Sequence, residues 1–194
     1  MSTYQFYAEL KDYKPKMWRR LLINENMTIA QLSYAVLIIF RANGSHLFNI
    51  EKPLQKGVAV LYEMPNMNMD ISNLDMNIIE RYNATKVQIH NAVSLNDKDN
   101  CLVVNYDFGD GWRIKLKLEE IYGEDNLKNN DMPCVISGKG YGIVEDCGGS
   151  DSLMQIAETH NLESVDLSHF DKNELNDMLL SNMSHFQIMY ENEK

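Results

Sequence analysis

The feature that most constrains this chain is the heptapeptide Tyr106-Asp107-Phe108-Gly109-Asp110-Gly111-Trp112, together with the alternation that follows it. Gly109 and Gly111 accept positive φ without steric cost, and Asp-Gly is a strong short-range signal for a hairpin turn. Beyond the turn, Trp112, Ile114, Leu116 and Leu118 alternate with Arg113, Lys115 and Lys117. A period of two puts the apolar set on one face of a strand and the cations on the other. The pattern predicts two antiparallel arms, 102–107 and 112–119, that seat Trp112 in a core.

The rest of the chain supplies partners for this hairpin. Residues 4–10 alternate Tyr4, Phe6, Ala8 and Leu10 with Gln5, Tyr7 and Glu9, as a half-buried strand does. Pro15 breaks the pattern, and residues 17–23 read as a second strand. Thr28 with Gln31 makes a capping-box pattern, so a helix is predicted over 29–42, ended by Asn43-Gly44. Its apolar residues cover nearly the whole circumference, which implies burial on more than one side. Strands are expected over 46–51 and 58–62, then an irregular insertion over 63–84 with one helical turn around 75–81. A short helix over 87–95, a turn over 96–100 and a polar loop over 124–132 follow. Residues 134–149 are glycine-rich and expected to hold little regular structure. Ser150 is placed as the cap of a helix over 151–160, and a last helix covers 171–190. The predicted class is α+β: one domain over 1–194, a mostly antiparallel sheet with the 29–42 helix on one face, and C-terminal helices.

A chain of 194 residues, 44% of them hydrophobic, can bury a sizeable core. Its net charge of −10 argues against general polyanion binding over the whole surface. One basic cluster runs against that average: Lys14, Lys16, Arg19 and Arg20, with Trp18 among them. With Arg113, Lys115 and Lys117 it is a candidate phosphate-binding stripe for nucleic acid. The competing reading is a solvated sheet face paired with Glu9 and other acids. The N-terminus lacks a basic and apolar leader, and no apolar run reaches the ~20 residues needed to span a bilayer. Cys101, Cys134 and Cys147 are too scattered for a disulfide framework, so a reduced, cytoplasmic protein is expected.

Several pieces stand in a fixed order: Lys14-Pro15-x-x-Trp18-Arg19-Arg20-Leu21, Ser45-His46-Leu47, the heptapeptide, and Glu145-Asp146-Cys147-Gly148-Gly149. With residues 166–180, this series resembles the Ri-plasmid ORF-three-like family, which includes proteins named as TnpR passengers of insertion-sequence elements. The resemblance covers nearly the whole chain. It implies an α+β domain with a mobile-element accessory role and brings no assigned activity; no serine-recombinase signature is present. This chain departs from the family at Phe48, where a second histidine is common, and at 141–144, where Ala-Cys-Pro-Pro is common.

His46, Asp107, Asp110, Glu145, Asp146 and Cys147 form the densest polar set within these motifs. A hard divalent cation requires carboxylates brought together from two loops, and a softer one would use His46, Cys134 and Cys147. On the structural reading, aspartates in a glycine turn bond their own backbone and Asp146 caps the helix that follows. Cys147 before two glycines is also a candidate nucleophile at a helix start. The leading expectation is a non-enzymatic interaction module with a protein partner and no required cofactor. The alternatives are a metal-dependent or hydrolytic enzyme between the Asp107–Asp110 turn and Glu145–Cys147, and a nucleic-acid-binding accessory protein using 14–20.

Overall fold

In the computed structural model, residues 2–54, 57–65, 77–95, 100–123, 132–159 and 165–191 are described. Eight strands among them form one sheet: β1 (Thr3–Leu10), β2 (Trp18–Asn24), β3 (Phe48–Pro53), β4 (Val58–Glu63), β5 (Asn77–Asn83), β6 (Cys101–Tyr106), β7 (Trp112–Tyr122) and β8 (Cys134–Lys139). Their spatial order is β5-β4-β3-β6-β7-β1-β2-β8. Every neighbouring pair is antiparallel except β4 with β5, so the sheet is mixed and mostly antiparallel. Four helices accompany it: α1 (Ile29–Ile39), α2 (Ile89–Ala92), α3 (Gly149–Glu158) and α4 (Lys172–Glu191). The fold is α+β. No described helix is long and apolar enough to cross a membrane.

The period-two pattern decides the inward face. Phe6, Ala8 and Leu10 of β1, Trp112, Ile114 and Leu116 of β7, and Leu102, Val104 and Tyr106 of β6 are fully buried in one cluster with α1. Each large apolar side chain so buried contributes roughly 1.5–3 kcal/mol before entropy is counted. The capping box is present: Thr28 Oγ1 accepts the Gln31 N–H at 3.1 Å, and Gln31 Oε1 accepts the Thr28 N–H at 2.9 Å. α1 ends before the expected Asn43-Gly44. Arg41 takes the left-handed position at φ 63°, its N–H donates to Ile38 O, and the Ala42 N–H donates to Leu37 O. These two bonds are the Schellman pair, closed here on a non-glycine residue.

Other segments also differ from expectation. Residues 77–83 are a strand beside β4, with Tyr82 stacked on Tyr62 at 5.9 Å, and hold no helical turn. Residues 66–76 of the expected insertion, 96–99 of the turn and 124–131 of the polar loop lie outside the described residues. The glycine-rich stretch contains β8, whose Val135 is buried and whose backbone is clasped by the Asn176 side chain at 2.7 and 3.1 Å. β3 begins at Phe48, leaving His46 in the loop before it. Gly148 occupies the N-cap of α3, while Ser150 Oγ donates to Lys11 O at 2.9 Å and caps nothing.

The basic cluster is divided by the same alternation. Trp18 and Arg20 point outward from β2, and Arg19 points into the core with no exposure. A guanidinium has five N–H donors. Arg19 Nε donates to Ile39 O (3.2 Å), Nη1 to Trp18 O and Lys139 O (2.8 and 2.7 Å), and Nη2 to Gly140 O and Tyr141 O (both 2.7 Å). The rings of Phe40 and Phe170 each lie 5.1 Å from its carbon. Burial, and after it the Arg41 charge, push its pKa down to about 9, which leaves it cationic at neutral pH. Arg19 is therefore no phosphate ligand. Arg20 is held by Glu119 (2.7 and 3.2 Å) and Lys16 by Glu9 (3.0 Å), while Lys14 stays exposed.

α4 lies against α1. Arg41 donates to both oxygens of Glu174 (2.8 and 2.7 Å), and the Tyr190 ring stacks on Tyr34 at 5.8 Å and meets Phe48 edge-on at 4.7 Å.

Replacing Arg19 with Met or Lys should destabilise the protein by about 3 kcal/mol or more, because carbonyls are left buried without donors. Urea unfolding measures it; a loss below about 1 kcal/mol would show that these bonds carry little. The Arg41 bond, and next the His169 bond, lower the Glu174 pKa from 4.5 to about 2. A carboxylate with a depressed folded pKa stabilises fully above its unfolded value and loses that contribution as pH falls through the folded one. Thermal unfolding of Glu174→Gln should therefore show a shallower acid dependence than the parent between pH 4.5 and about 2.

Candidate metal centre

Three loops meet beyond the turn joining β6 to β7. The first is that turn. Asp107, at φ 51°, takes its left-handed position, with Gly111 at φ 69°; Gly109 does not, contrary to expectation. The loop is five residues long because Asp107 O accepts the Gly111 N–H at 2.6 Å. Asp107 Oδ1 accepts the N–H groups of Gly109 (3.0 Å) and Asp110 (3.3 Å), and the Asp107 N–H donates to Leu47 O (3.0 Å). One oxygen is thus tied to its own turn, as an aspartate in a glycine turn should be. The other, Oδ2, faces His46.

The second loop carries His46 between α1 and β3. Tyr190 of α4 donates its hydroxyl to His46 O at 2.6 Å and Gly44 O at 2.8 Å, so the last helix holds this loop in place. The His46 ring meets Tyr106 edge-on at 5.8 Å. The third loop carries Glu145 and Asp146. Glu145 Oε1 accepts the Asn43 N–H (2.7 Å) and the Tyr106 hydroxyl (2.9 Å). Burial, and next the Glu145 charge, raise the Tyr106 pKa, so that phenol stays a donor. Glu145 Oε2 is buried and accepts no hydrogen bond among the described residues.

His46 Nε2 lies 3.6 Å from Asp107 Oδ2, 3.8 Å from Glu145 Oε2 and 3.5 Å from Asp146 Oδ1. Ligand atoms of His46, Asp107 and Glu145 all lie within 4.8 Å of one another. Such separations exceed the usual N–H···O distance of about 2.7–3.2 Å. Two ligands each about 2.1 Å from one ion at a tetrahedral angle stand about 3.4 Å apart. The Asp107 side chain is 9% exposed, Glu145 16%, His46 32% and Asp146 82%, so the cluster opens to solvent on the Asp146 side. Asp146 is itself left-handed at φ 56°. Two non-glycine residues in this region bound one small space, a form of local strain that collects at functional sites.

The remaining candidates sit beside the cluster and outside it. Asp110 Oδ2 accepts the Gly148 N–H at 3.0 Å, so Asp110, and not Asp146, serves the start of α3. Gly149 is a close approach: a Cβ there would strike Asp110 O. Cys147 Sγ points to Gly149 O at 3.8 Å, and burial raises its pKa, the opposite of an activated thiol. Cys134 lies on β8, and no His46–Cys134–Cys147 set assembles among the described residues. The structure adds Asn43, Tyr106 and Tyr190 as supports. Tyr106 opens the heptapeptide, whereas nothing local marks Tyr190, 144 positions from the loop it holds.

The chain belongs to the plasmid pRiA4b ORF-3-like protein family, whose model matches residues 2–192. No curated protein is significantly similar to it. It resembles the crystal structure of a protein of unknown function, MM3350 from Methanosarcina mazei Go1, with a TM-score of 0.71 at 22% identity. That match covers 89% of this chain and 96% of the other. It shows a shared fold; neither the family description nor this neighbour carries an assigned activity.

The left-handed position gives a test of how Asp107 is held. Asparagine tolerates this conformation and keeps the Oδ1 acceptor, so Asp107→Asn should shift stability by less than about 0.5 kcal/mol. Asp107→Ala loses the two accepted bonds that offset the left-handed backbone, and should cost about 1–3 kcal/mol in chemical denaturation.

Proposed function

We propose that this member of the plasmid pRiA4b ORF-3-like family holds a divalent transition-metal ion between His46, Asp107 and Glu145, with Asp146 at the mouth. The observation that carries the reading is the spacing: His46 Nε2 stands 3.5–3.8 Å from three carboxylate oxygens and hydrogen-bonds to none of them. Each inner carboxylate presents one free oxygen to the centre, while its other oxygen is anchored by backbone amides or Tyr106. Metal ligands are normally oriented by such outer partners.

The donor set narrows the ion. One imidazole with two carboxylates suits Zn²⁺, Mn²⁺ or Fe²⁺ better than Ca²⁺ or Mg²⁺, which prefer oxygen alone. A neutral His46 with the Asp107 and Glu145 carboxylates balances a dication. Structural zinc sites are closed by four protein ligands, whereas three ligands and a solvent-facing side keep an exchangeable position. That position would accept water or a substrate oxygen, which makes metal-assisted hydrolysis the reaction class this site suits.

Isothermal titration of metal-free protein with Zn²⁺ or Mn²⁺ should show one equivalent bound, and His46→Ala and Glu145→Gln should each weaken it about tenfold or more. Tyr106→Phe, which frees Glu145, should weaken it less. Absence of binding at millimolar Zn²⁺ and Mn²⁺, or tighter binding of Ca²⁺ or Mg²⁺, would overturn the assignment.

A further inference from the structure

The outward face of the β7-β1-β2-β8 half of the sheet carries a charge pattern unlike the rest of the chain. Cross-strand register aligns Lys117 with Tyr7 and Tyr7 with Arg20 in one row. The next row runs Lys115, Glu9, Trp18 and Lys139, with Arg113 beyond it on β7. Arg113, Lys115, Lys117 and Lys139 are exposed. Its two central acids are already neutralised, Glu9 by Lys16 at 3.0 Å and Glu119 by Arg20 at 2.7 Å. Arg113, Lys115 and Lys139 make no ion pair among the described residues. A chain of net charge −10 thus concentrates unpaired cations on one face.

The same face holds a preformed stack. The Tyr7 and Trp18 rings lie 5.6 Å apart at 26°, and the Arg20 guanidinium lies over both, at 5.6 and 5.2 Å. Glu119 bonds two of its nitrogens and so fixes the guanidinium plane.

We propose that this face binds an extended single strand of nucleic acid, with phosphates along Arg113, Lys115 and Lys117 and a base on the Tyr7–Trp18–Arg20 stack. Cations on alternate residues of a strand repeat about every 6.8 Å, which a stretched strand of nucleotides can follow. The phosphates of a duplex strand wind away around the helix axis, so a straight row of cations reaches few of them. Aromatic and guanidinium planes favour nucleic acid over an acidic peptide, because bases offer π faces and carboxylate side chains do not. This surface lies outward from the sheet, and its binding does not depend on the metal centre.

The test is fluorescence anisotropy of a labelled single-stranded DNA 12-mer, titrated with the full-length protein at several salt concentrations. Binding that weakens with salt is expected. Lys115→Ala/Lys117→Ala should lower affinity about tenfold at low salt and reduce the salt slope by about 1.4, since each neutralised phosphate of a single strand contributes about 0.7. Both lysines are exposed, so circular dichroism should show an unchanged fold. Quenching of Trp18 emission on binding would add support, because the other tryptophan, Trp112, is fully buried. The proposal is overturned if the 12-mer does not bind at low salt, or if the double variant keeps the parent slope. It is overturned equally if a duplex or a poly-glutamate peptide binds as tightly as the single strand.

Discussion

The structure depends on one buried cation. Arg19 sits on the core side of β2, and its five donors reach carbonyls of β2, the end of α1, and the residues that lead out of β8. Among the described residues no carboxylate pairs with it. The charge is held by peptide dipoles, among them a carbonyl at the negative end of α1, and by the faces of Phe40 and Phe170. An ion removed from water needs nearly ideal geometry in return. Satisfying all five donors supplies that geometry, and it forces three separate stretches of backbone to one point.

The candidate metal centre follows from this junction. Beyond the carbonyls of Gly140 and Tyr141 the chain passes the end of α1, where the Ile143 N–H donates to Phe40 O at 2.7 Å. Gly142 lies against that same carbonyl, and a side chain there would collide with it. Two residues later Glu145 reaches Asn43 and Tyr106. The loop bearing Glu145 is thus positioned by Arg19 and α1, the loop bearing His46 by Tyr190, and Asp107 by its own turn. Each of the three arrives from a different support, and those of Glu145 and His46 are hydrogen bonds that the local sequence does not require.

The two faces of the sheet divide the chemistry. The covered face takes the apolar residues and Arg19, and the candidate metal centre gathers at the strand ends beside the β6–β7 turn. The outward face over β7, β1 and β2 takes Arg20, Arg113, Lys115, Lys117 and the Tyr7–Trp18 stack. Arg19 and Arg20 show the division most plainly. Adjacent in sequence, they looked like one basic cluster, yet successive side chains of a strand point to opposite faces. The alternation Trp18, Arg19, Arg20, Leu21, Leu22, Ile23 already contained that answer, since Arg19 shares its face with Leu21 and Ile23.

By itself the sequence determined what local chemistry controls: the alternating strands β1 and β7, their neighbours β2 and β6, the capping box of α1, the long last helix, and the family. It also marked His46, Asp107, Glu145 and Asp146 as residues of interest, through motifs that stand far apart in the chain. β5 and β8 were not legible, because β5 is exposed and β8 opens a glycine-rich stretch, so neither has a strong alternation. The same holds for the exit of α1, where a left-handed Arg41 replaced the expected glycine. Only the tertiary structure decided that three carboxylates would surround one imidazole at ligand spacing while Asp110 and Cys147 stood aside. That outcome depends on where three loops meet to within an ångström, and the contacts that set it, from Arg19 and Tyr190, cross more than a hundred residues of sequence.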